Sequence, residues 1–594
     1  MPLIFIKENK TISEGGKFLS LETNTFNAAD AMLEALQEMG IAYLFSNLGS
    51  DHPAIIEGLA KAKAQGRPLP EVIICPHEYV ALCAAHGYFL LSGEAQGVFV
   101  HTDVGTQNLG GSLHNALRSR VPAFIFSGET PYTMEGELPG SRNSHINYLQ
   151  NVYDQRGILR NYVKWEQDIR TGKNVKQLVY RALQLANSEP KGPVYLTGAR
   201  EVLEEEVHSL ENLSSKWKPI EKIALSLESV TFIVETVANA NNPVLITSYL
   251  GRNEKSVEQA VNFCESLAIP VIETNPTYLN FPGDHPLHLG FNAAELISEA
   301  DVIIVIDSDI PWVPSISKPN KDCKVIYIDI DPIKTDIPLW HIPSEVSYRA
   351  DSYLGLAQLN QYIDGIELDE RKLGKRYETL KGRHEKQRIE WRNMEGNPID
   401  GVITPEWLTT CIRNVIDEET VILNETITNS TAVQNHLPRN RPGTLFGNGG
   451  SSLGWNGGAA FGAKLAKPDK VIVSLTGDGT YLFSLPSSVH WLSRRYQASF
   501  LTVIYNNQGW NATKSNLLKL YPKGIAKRDD RYWVNFDQPA DLAKIAEAAG
   551  GAFAVTVSDP SKLQEALQKG IEAVRAGRSA VIDVKLQKIS DQKD

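Results

Sequence analysis

Two runs of apolar residues in the last third of the chain each end in a polar turn. The first run, residues 471–476, ends at Gly477-Asp478-Gly479, and the second, residues 500–505, ends at Asn506-Asn507. Apolar runs of this length, bounded by turn residues, are typical of strands buried in a parallel sheet. The stretch between them, from about Ser487 to Tyr496, predicts a crossover helix. Both polar turns are therefore expected at the carboxyl edge of one sheet, where open α/β sheets bind ligands.

Apolar runs alternate with amphipathic helical stretches along most of the chain and divide it into three α/β blocks. We place these blocks at residues 25–201, 225–361 and 404–588, with polar or charged connectors at 204–222 and 369–397. A chain of 594 residues is too long for a single hydrophobic core, so several domains are expected. The predicted fold class is α/β, with three doubly wound parallel-sheet domains.

Blocks one and three share a weak internal repeat. Each contains a helix rich in small residues (81–91 and 459–465), an apolar strand and a glycine-bearing turn (103–105 and 477–479). The repeat fits a fold in which two related ligand-binding domains are built around a third. Block two has no Gly-x-Gly-x-x-Gly sequence after a strand, so dinucleotide binding is not favoured there.

Composition narrows the function classes. Hydrophobic residues make up 42% and charged residues 22% of the chain, as in ordinary globular proteins. The net charge of −11 argues against nucleic acid as a partner, because phosphate binding needs a basic face. Since no run of eighteen apolar residues occurs, no membrane span is expected.

The chain termini and the cysteines bear on cellular location. Residues 1–18 resemble neither a signal peptide nor a clear transit peptide, and residues 591–594 carry no peroxisomal signal. The five cysteines, at positions 75, 83, 264, 323 and 411, have no spacing typical of a metal site. We expect reduced core thiols and a cytoplasmic protein.

The polar turns after the two C-terminal strands carry ligands suited to Mg²⁺. A carboxylate, an amide oxygen and a backbone carbonyl are hard oxygen ligands, and glycines let the backbone approach a phosphate closely. A lone Gly-Asp-Gly would mostly be an ordinary turn. Its pairing with Asn506-Asn507 after the next strand favours a metal and phosphate site instead.

The two motifs resemble the signature of enzymes that use thiamine diphosphate (ThDP), and the resemblance extends from about residue 25 to 590. It implies a pyrimidine-binding first domain, a central domain and a diphosphate-binding third domain. The implied Mg²⁺ ligands are the side chains of Asp478 and Asn507 and the carbonyl of Gly509. Around the diphosphate the resemblance places Gly477, Gly479 and Thr480, the last two as backbone N–H donors.

Glu78 follows the apolar strand 72–74 and starts a predicted helix. Taken alone, an acidic residue in a first helical turn is best explained by the helix dipole. ThDP enzymes, however, carry a Glu at this position, where it hydrogen-bonds the pyrimidine ring and drives formation of the reactive tautomer. The resemblance therefore implies Glu78 as a catalytic, cofactor-binding residue.

The loop 450–455 resembles the family loop in which one bulky apolar side chain holds the cofactor in its bent form. Leu453 matches that side chain, and the Ser451 carbonyl would accept from the exocyclic amine of the pyrimidine. Gly457-Gly458 stands where the family often has Leu-Pro or Pro. Thr426 and Thr428 lie at another predicted strand end. They either hold phosphate or belong to a polar turn, and the sequence leaves both interpretations open.

Substrate residues are suggested by a resemblance to benzoylformate decarboxylase-type members. His101 falls on their substrate-handling His and Ser50 on their substrate-binding Ser, whereas their second active-site His has no match here. The segment after the paired asparagines resembles benzaldehyde lyase and hydroxyacyl lyases. A helix there would place Ala512 and Asn516 on one face as candidate pocket residues.

These resemblances imply a ThDP- and Mg²⁺-dependent, non-oxidative 2-oxo acid decarboxylase or carboligase. It would form an aldehyde or an acyloin through an enamine intermediate, from a small 2-oxo acid or aldehyde substrate. In this superfamily the first and third domains meet across a subunit interface, so a homodimer or homotetramer is implied.

Three alternatives stay open. One is an acetolactate synthase without FAD, because residues 306–310 lack the family's FAD sequence and Asn516 replaces its usual Trp. Another is a hydroxyacyl- or oxalyl-CoA-type lyase, which ranks lower because block two shows no obvious Arg/Lys cluster at its strand ends. The third is a non-catalytic protein that keeps the fold, which the intact Glu78, Asp478 and Asn507 argue against.

Overall fold

The structure is a computed structural model that describes residues 25–208, 211–398, 400–536 and 539–589. The predictions for residues 1–18 and 591–594 lie outside the described residues. Within the described residues the chain forms three sheets whose strand pairs are all parallel. The predicted α/β class with three doubly wound parallel-sheet domains is confirmed.

Domain one contains a six-stranded sheet, in the order β2-β1-β3-β4-β6-β5 among the described residues. Its strands are β1 (Tyr43–Ser46), β2 (Glu71–Ile74), β3 (Gln96–Val100), β4 (Ala123–Glu129), β5 (Trp165–Asp168) and β6 (Val194–Ala199). Its helices are α1 (Ala28–Glu38), α2 (Pro53–Ala64), α3 (Glu78–Ser92), α4 (Thr102–Gln107), α5 (Gly110–Arg118), α6 (Ile146–Leu149), α7 (Val175–Asn187) and α8 (Arg200–Leu203).

Domain two contains a five-stranded sheet in the order β11-β10-β9-β7-β8, again counting described residues. Its elements are α9 (Leu227–Asn239), β7 (Pro243–Thr247), α10 (Glu254–Leu267), β8 (Val271–Glu273), α11 (Ala294–Glu299), β9 (Val302–Ile306), β10 (Lys324–Asp329), β11 (Val346–Arg349) and α12 (Ser352–Ile363). The charged connector that follows is mostly one long helix, α13 (Glu370–Arg392), capped by the Asp369 side chain.

Domain three contains a six-stranded sheet in the order β13-β12-β14-β15-β17-β16 within the described chain. Its strands are β12 (Val421–Glu425), β13 (Leu445–Gly447), β14 (Ile472–Gly477), β15 (Leu501–Asn506), β16 (Phe553–Val557) and β17 (Ala580–Lys585). Its helices are α14 (Pro405–Val415), α15 (Ser430–His436), α16 (Trp455–Ala466), α17 (Asp478–Phe483), α18 (Pro486–Arg495), α19 (Asn511–Leu520), α20 (Ile525–Arg528), α21 (Leu542–Gly550) and α22 (Leu563–Arg575).

Domains one and three have the same strand order when each sheet is numbered from its own first strand. The weak repeat in the sequence therefore corresponds to two domains of the same topology. Strands β14 and β15 are neighbours in register, with Gly477 opposite Tyr505, so the two polar turns do meet at one sheet edge.

The two related domains pack through their small-residue helices, α3 and α16. A Cβ on Gly87 would lie 2.0 Å from the Ala459 carbonyl oxygen, and one on Gly462 would lie 1.9 Å from that of Ala84. Gly458 also faces α3, since its Cβ would lie 2.6 Å from the Cys83 Cβ. Gly457-Gly458 thus lies inside α16, and glycine permits the close helix–helix contact.

No helix in the described part of the chain is long and apolar enough to cross a membrane.

Candidate active site

Asp478 connects the ends of the two central strands of domain three. It is the first residue of α17, directly after β14, and its side chain is buried. Its Oδ1 accepts a hydrogen bond from the Gly479 N–H at 2.9 Å, and its Oδ2 accepts one from the Gly509 N–H at 2.9 Å. Burial raises the pKa of Asp478 to about 6, while these backbone donors act in the opposite direction.

Asn507 follows β15 and brings an amide oxygen to the same place. The residue is buried, and its Oδ1 has no hydrogen-bond partner among the described residues. The neighbouring Asn506 points elsewhere, because its side-chain amide donates to Asp583 at 2.7 Å. A buried polar oxygen without a partner is costly, so it marks a position suited to an external ligand.

Gly509 completes this cluster. Its φ of +156° lies at the edge of the region that side chains rarely adopt, and an added Cβ would lie 2.3 Å from the Val534 carbonyl oxygen. Its own carbonyl accepts a bond from the Asn511 N–H at 3.2 Å, which leaves one lone pair for another partner.

A cavity of about 130 Å³ opens at this sheet edge, and the described residues that line it all belong to domain three. It brings together ten residues that the sequence had pointed to: Thr426, Thr428, Leu453, Gly477, Asp478, Gly479, Thr480, Asn507, Gly509 and Ala512. Sequence reasoning missed six others: Ile427, Asn429, Tyr505, Trp510, Asn511 and Thr513. Five of the six lie next to a predicted residue in the chain, and Tyr505 lies two residues before Asn507.

Trp510 shows why Gly479 is a glycine. A Cβ at position 479 would lie 2.1 Å from the Trp510 ring. The ring also makes edge-on contacts with Phe483 and Phe536, at centroid distances of 5.7 and 5.1 Å. The indole therefore covers the backbone of the Gly-Asp-Gly turn.

The loop that carries Leu453 is held by domain one. Tyr79 donates its hydroxyl hydrogen to the Leu453 carbonyl at 2.5 Å, and the Asn115 amide both accepts from the N–H and donates to the carbonyl of Ser452, at 3.0 and 2.8 Å. Leu453 lines the cavity, whereas the predicted Ser451 is exposed and lies outside its described lining.

Glu425, at the end of β12, holds the same loop from domain three. It accepts hydrogen bonds from the N–H groups of Trp455 and Asn456, at 3.3 and 3.0 Å, and from the Asn448 side chain at 2.9 Å. Burial raises the pKa of this carboxyl to about 7. The sequence pattern offered no way to distinguish Glu425 from other residues of a polar turn.

Glu78 is the first residue of α3 and is buried. Its Oε2 accepts a hydrogen bond from the Asn108 amide at 3.0 Å. Gly105 leaves room for the carboxylate, because an added Cβ there would lie 3.1 Å from Oε1. Glu78 is thus set at the carboxyl edge of the sheet of domain one, and it is not among the described residues that line the cavity of domain three.

His101 follows β3 and contacts the turn that carries Ser50. Its Nδ1 lies 2.5 Å from the Asp51 Oδ1, and a Cβ on Gly49 would lie 2.1 Å from the same nitrogen. The structure therefore brings the predicted Ser50 and His101 to one place, with Ser50 exposed. Of the two residues predicted on α19, Ala512 lines the cavity, but Asn516 is exposed and outside its described lining.

The prediction that domain two has no obvious Arg/Lys cluster at its strand ends was wrong. Arg252 and Lys334 follow β7 and β10, and Arg120 approaches from domain one. Each cation is paired with a carboxylate: Arg252 with Asp307, Lys334 with Asp329 at 2.6 Å, and Arg120 with Asp309 at 2.7 Å. The pairs Arg252–Asp307 and Arg120–Asp309 join residues 55 and 189 apart in the chain, and pairs at such separations are not visible in a single sequence.

Comparison with known families decides the identity of the fold. The chain matches the N-terminal TPP binding domain of thiamine pyrophosphate enzymes over residues 26–158, their central domain over 230–356 and their C-terminal TPP binding domain over 426–584. Together these matches span more than half of the chain. The chain belongs to the thiamine pyrophosphate enzymes. Thiamine pyrophosphate is ThDP under its other name, so the family predicted from the two motifs is confirmed.

Similar proteins cover nearly the whole of this ThDP enzyme. Acetolactate synthase of Bacillus subtilis (strain 168) is 22% identical over 571 residues, which are 92% of this chain and 91% of the relative. The acetolactate synthase large subunit of Lactococcus lactis subsp. lactis (strain IL1403) is 24% identical over 573 residues, 93% of this chain and 92% of the relative. Among solved structures, the ThDP-dependent 4-hydroxybenzoylformate decarboxylase of Rhodococcus jostii RHA1 superposes with a TM-score of 0.78 at 20% identity, covering 95% and 99% of the two chains.

These findings make the protein a ThDP-dependent enzyme. The cavity of domain three fits the diphosphate and metal end of the cofactor on its own chemistry. It combines a buried carboxylate, an unpartnered amide oxygen and glycines that leave the backbone accessible.

Proposed function

We propose that the enzyme decarboxylates a 2-oxo acid without oxidation, and that it releases an aldehyde or joins the remaining acyl unit to a second carbonyl compound to give an acyloin. The observation that carries this proposal is the cluster at the end of β14 and β15. There the Asp478 carboxylate and the unpartnered Asn507 Oδ1 line one cavity with the Gly477-Asp478-Gly479 backbone.

Asp478, Asn507 and the Gly509 carbonyl would hold a Mg²⁺ ion, and Gly477, Gly479, Thr480, Thr426 and Thr428 would surround the diphosphate. When bound, ThDP supplies the carbon nucleophile and the electron sink that allow CO₂ to leave a 2-oxo acid. Leu453, whose loop is held by Tyr79 and Glu425, would contact the cofactor, and the Ser451 carbonyl would accept from its amine. The chain itself thus supplies orientation and charge compensation.

Glu78 and His101 would handle protons. Glu78, oriented by Asn108, would share a proton with the pyrimidine ring of the cofactor. His101, beside Ser50, would give a proton to the product carbon after CO₂ has left. Ala512 on the cavity wall would leave room for an acceptor, and Asn516 would lie further out toward solvent.

The cavity is lined by domain three, whereas Glu78 and His101 belong to domain one. Glu78 and His101 do not belong to the described lining of this cavity. We therefore propose that a second copy of the chain completes the site, in a homodimer or a homotetramer. A cytoplasmic location stays a prediction of the sequence.

Two alternatives are ranked by particular observations. A synthase that joins two 2-oxo acids without FAD is favoured second, because curated relatives are named acetolactate synthases. A CoA-type lyase ranks lower, because Arg120, Arg252 and Lys334 are each paired with an aspartate rather than left for a nucleotide phosphate.

The test is an activity screen of purified protein supplied with ThDP and Mg²⁺. A panel of 2-oxo acids is assayed for CO₂, for aldehyde and, with excess acceptor aldehyde or 2-oxo acid, for acyloin. We expect CO₂ release that depends on both ThDP and Mg²⁺. No CO₂ from any 2-oxo acid, by protein shown calorimetrically to bind ThDP, would contradict the proposal.

A further inference from the structure

We propose that Asp51 is a positioning residue that fixes the tautomer of His101, so that Nδ1 always carries a hydrogen and Nε2 is the atom that gains and loses the mobile proton. The catalytic role of His101 rests on the proposed function, whereas its tautomer is a property of the protein without substrate. Asp51 had no assigned role in the sequence, where it reads as one more residue of a turn.

The Asp51 carboxylate is held in place from three directions. Oδ2 accepts hydrogen bonds from the backbone N–H groups of Thr102 and Gly128, at 3.0 and 2.9 Å, and Oδ1 faces the His101 Nδ1 at 2.5 Å. The residue is 2% exposed. Two backbone donors on one oxygen fix the carboxylate, so its other oxygen presents a fixed acceptor to the imidazole.

Glycines on both sides make this approach possible. A Cβ on Gly128 would lie 2.3 Å from the Asp51 Oδ2, and a Cβ on Gly49 would lie 2.1 Å from the His101 Nδ1. Real Cβ atoms do not approach other atoms so closely, so any larger residue would push the carboxylate and the imidazole apart. Glycine at both positions therefore allows the Asp51 carboxylate and the His101 imidazole to meet.

The tautomer follows from the chemistry of the acceptor. Burial disfavours the Asp51 charge, but the charge on His52 and hydrogen bonds from His101 and His52 hold the pKa of Asp51 well below its usual range. An ionised carboxylate has no hydrogen to donate, so His101 must donate from Nδ1. Nε2 then carries a hydrogen only in the imidazolium form, and loss of that proton leaves Nε2 as a base.

The surroundings of His101 favour the imidazolium form. The hydrogen bond to Asp51 raises the pKa of His101; burial opposes this, and the Asp51 charge, a bond to Gln150 and the Asp103 charge add to it. His52 also faces Asp51, with its Nδ1 2.8 Å from Oδ1. The His101 side chain is 17% exposed, so the ring as a whole is partly accessible. The raised pKa favours the imidazolium, which is the form in which His101 has a proton to donate from Nε2.

The tautomer is tested first in the wild-type protein. Long-range ¹H–¹⁵N correlation spectra of ¹⁵N-histidine-labelled enzyme are recorded across a pH titration, and the His101 signals are assigned by their loss in His101→Gln. We expect the neutral ring to carry hydrogen on Nδ1. A neutral ring with hydrogen on Nε2 would overturn the inference, without any need for a variant of Asp51.

Asp51→Asn supplies the second measurement. Loss of the charge should lower the His101 pKa by about 1–3 units, while Asp154→Asn, at an exposed position of the same domain, should leave it unchanged. If Asp51→Asn unfolds, the wild-type tautomer measurement still decides. A folded Asp51→Asn protein with an unshifted His101 pKa would overturn the inference.

The pH profile of decarboxylation separates this inference from the proposed function. Because the protonated form donates, activity should fall as pH rises through the His101 pKa. Asp51→Asn should move this descending limb of the profile to lower pH, by the same amount as the shift of the His101 pKa measured by NMR. A shifted His101 pKa with an unmoved limb would support the Asp51–His101 pairing and contradict the role of His101 as proton donor.

Discussion

The Asp478 carboxylate accepts a hydrogen bond from the N–H of Gly509, at 2.9 Å, and so joins the ends of two neighbouring strands. The same carboxylate also accepts from Gly479. One buried side chain thus orients both motifs before any ligand arrives. Such preorganisation would lower the cost of binding the proposed Mg²⁺ and diphosphate at the sheet edge.

Asp478→Ala should abolish Mg²⁺-dependent ThDP binding, because the Mg²⁺ ion then lacks its charged protein ligand and the two turns lose their common acceptor. Calorimetric titration with ThDP and Mg²⁺ measures this. Asp469→Ala, at an exposed position of the same domain, is the matched control and should bind normally. Affinity close to that of the wild type in Asp478→Ala would remove Asp478 from the metal site.

Glu78→Gln should leave ThDP binding largely intact but slow the exchange of the cofactor C2 hydrogen with deuterium by about 10²-fold or more, as expected for a lost acid–base group. Exchange is measured by NMR after acid quench. Glu57→Gln, on the exposed side of α2, should exchange like the wild type. If Glu78→Gln also exchanged at the wild-type rate, its carboxylate would serve only the helix dipole.

The strand ends of domain three could be predicted because their signal is local. Apolar runs fix the strands, and the turns that follow carry Asp478 and Asn507 within a few residues of each strand end. The predicted strands 471–476 and 500–505 coincide with β14 and β15 to within one residue at each end, and the predicted helix from about Ser487 to Tyr496 coincides with α18 to the same precision. Local periodicity is sufficient at these positions.

Contacts between distant segments could not be predicted in this way. Arg120 pairs with Asp309 across 189 residues, and the Tyr79 hydroxyl reaches the Leu453 carbonyl across 374. Asp51 is one polar turn residue among many until the fold brings His101 against it. The contacts of Asp51 and Glu425, whose roles the sequence missed, are pairings of this kind, which a single sequence does not encode in any periodic pattern.

Gly462→Ala should destabilise the contact between domains one and three, because its Cβ would lie 1.9 Å from the Ala84 carbonyl. Overpacking against backbone costs on the order of 1–3 kcal/mol. Gly382→Ala is the control, since it lies in α13 with nothing within 4 Å, and it should stabilise by about 0.5–1 kcal/mol. The thermal unfolding midpoint compares the two, and an unchanged midpoint in Gly462→Ala would show that α3 and α16 can separate freely.

Glu425→Gln should change the pH dependence of stability. Burial raises the pKa of Glu425 from 4.5 to about 7 in the folded protein, so the free energy of unfolding of the wild type falls as pH rises between these values. The side chain in Glu425→Gln does not titrate. The stability of the variant relative to the wild type should therefore grow with pH up to about 7, by at most on the order of 3 kcal/mol. Thermal unfolding at pH 5 to 8 measures it, with the exposed Glu418→Gln as control. A parallel pH dependence in both proteins would contradict a titrating Glu425.

His101→Ala distinguishes the two halves of the proposed reaction. If the enzyme mainly decarboxylates, release of the aldehyde needs a proton donor, and the variant should release aldehyde more slowly, by about 10²-fold for a lost general acid. If it mainly joins two carbonyl compounds, the acyl unit must instead wait for its acceptor, and loss of His101 should spare ligation or raise the ratio of acyloin to aldehyde. His341→Ala, in domain two, serves as the control for removal of an imidazole.

Ala512 on the cavity wall leaves space for an acceptor, so we expect wild-type enzyme to make appreciable acyloin and His101→Ala to raise its share. Product ratios are measured with excess acceptor aldehyde, at a pH where His101 is protonated in the wild type. Aldehyde alone from both proteins, across a broad acceptor panel, would contradict the carboligase half of the proposal and leave decarboxylation as the reaction that this site supports.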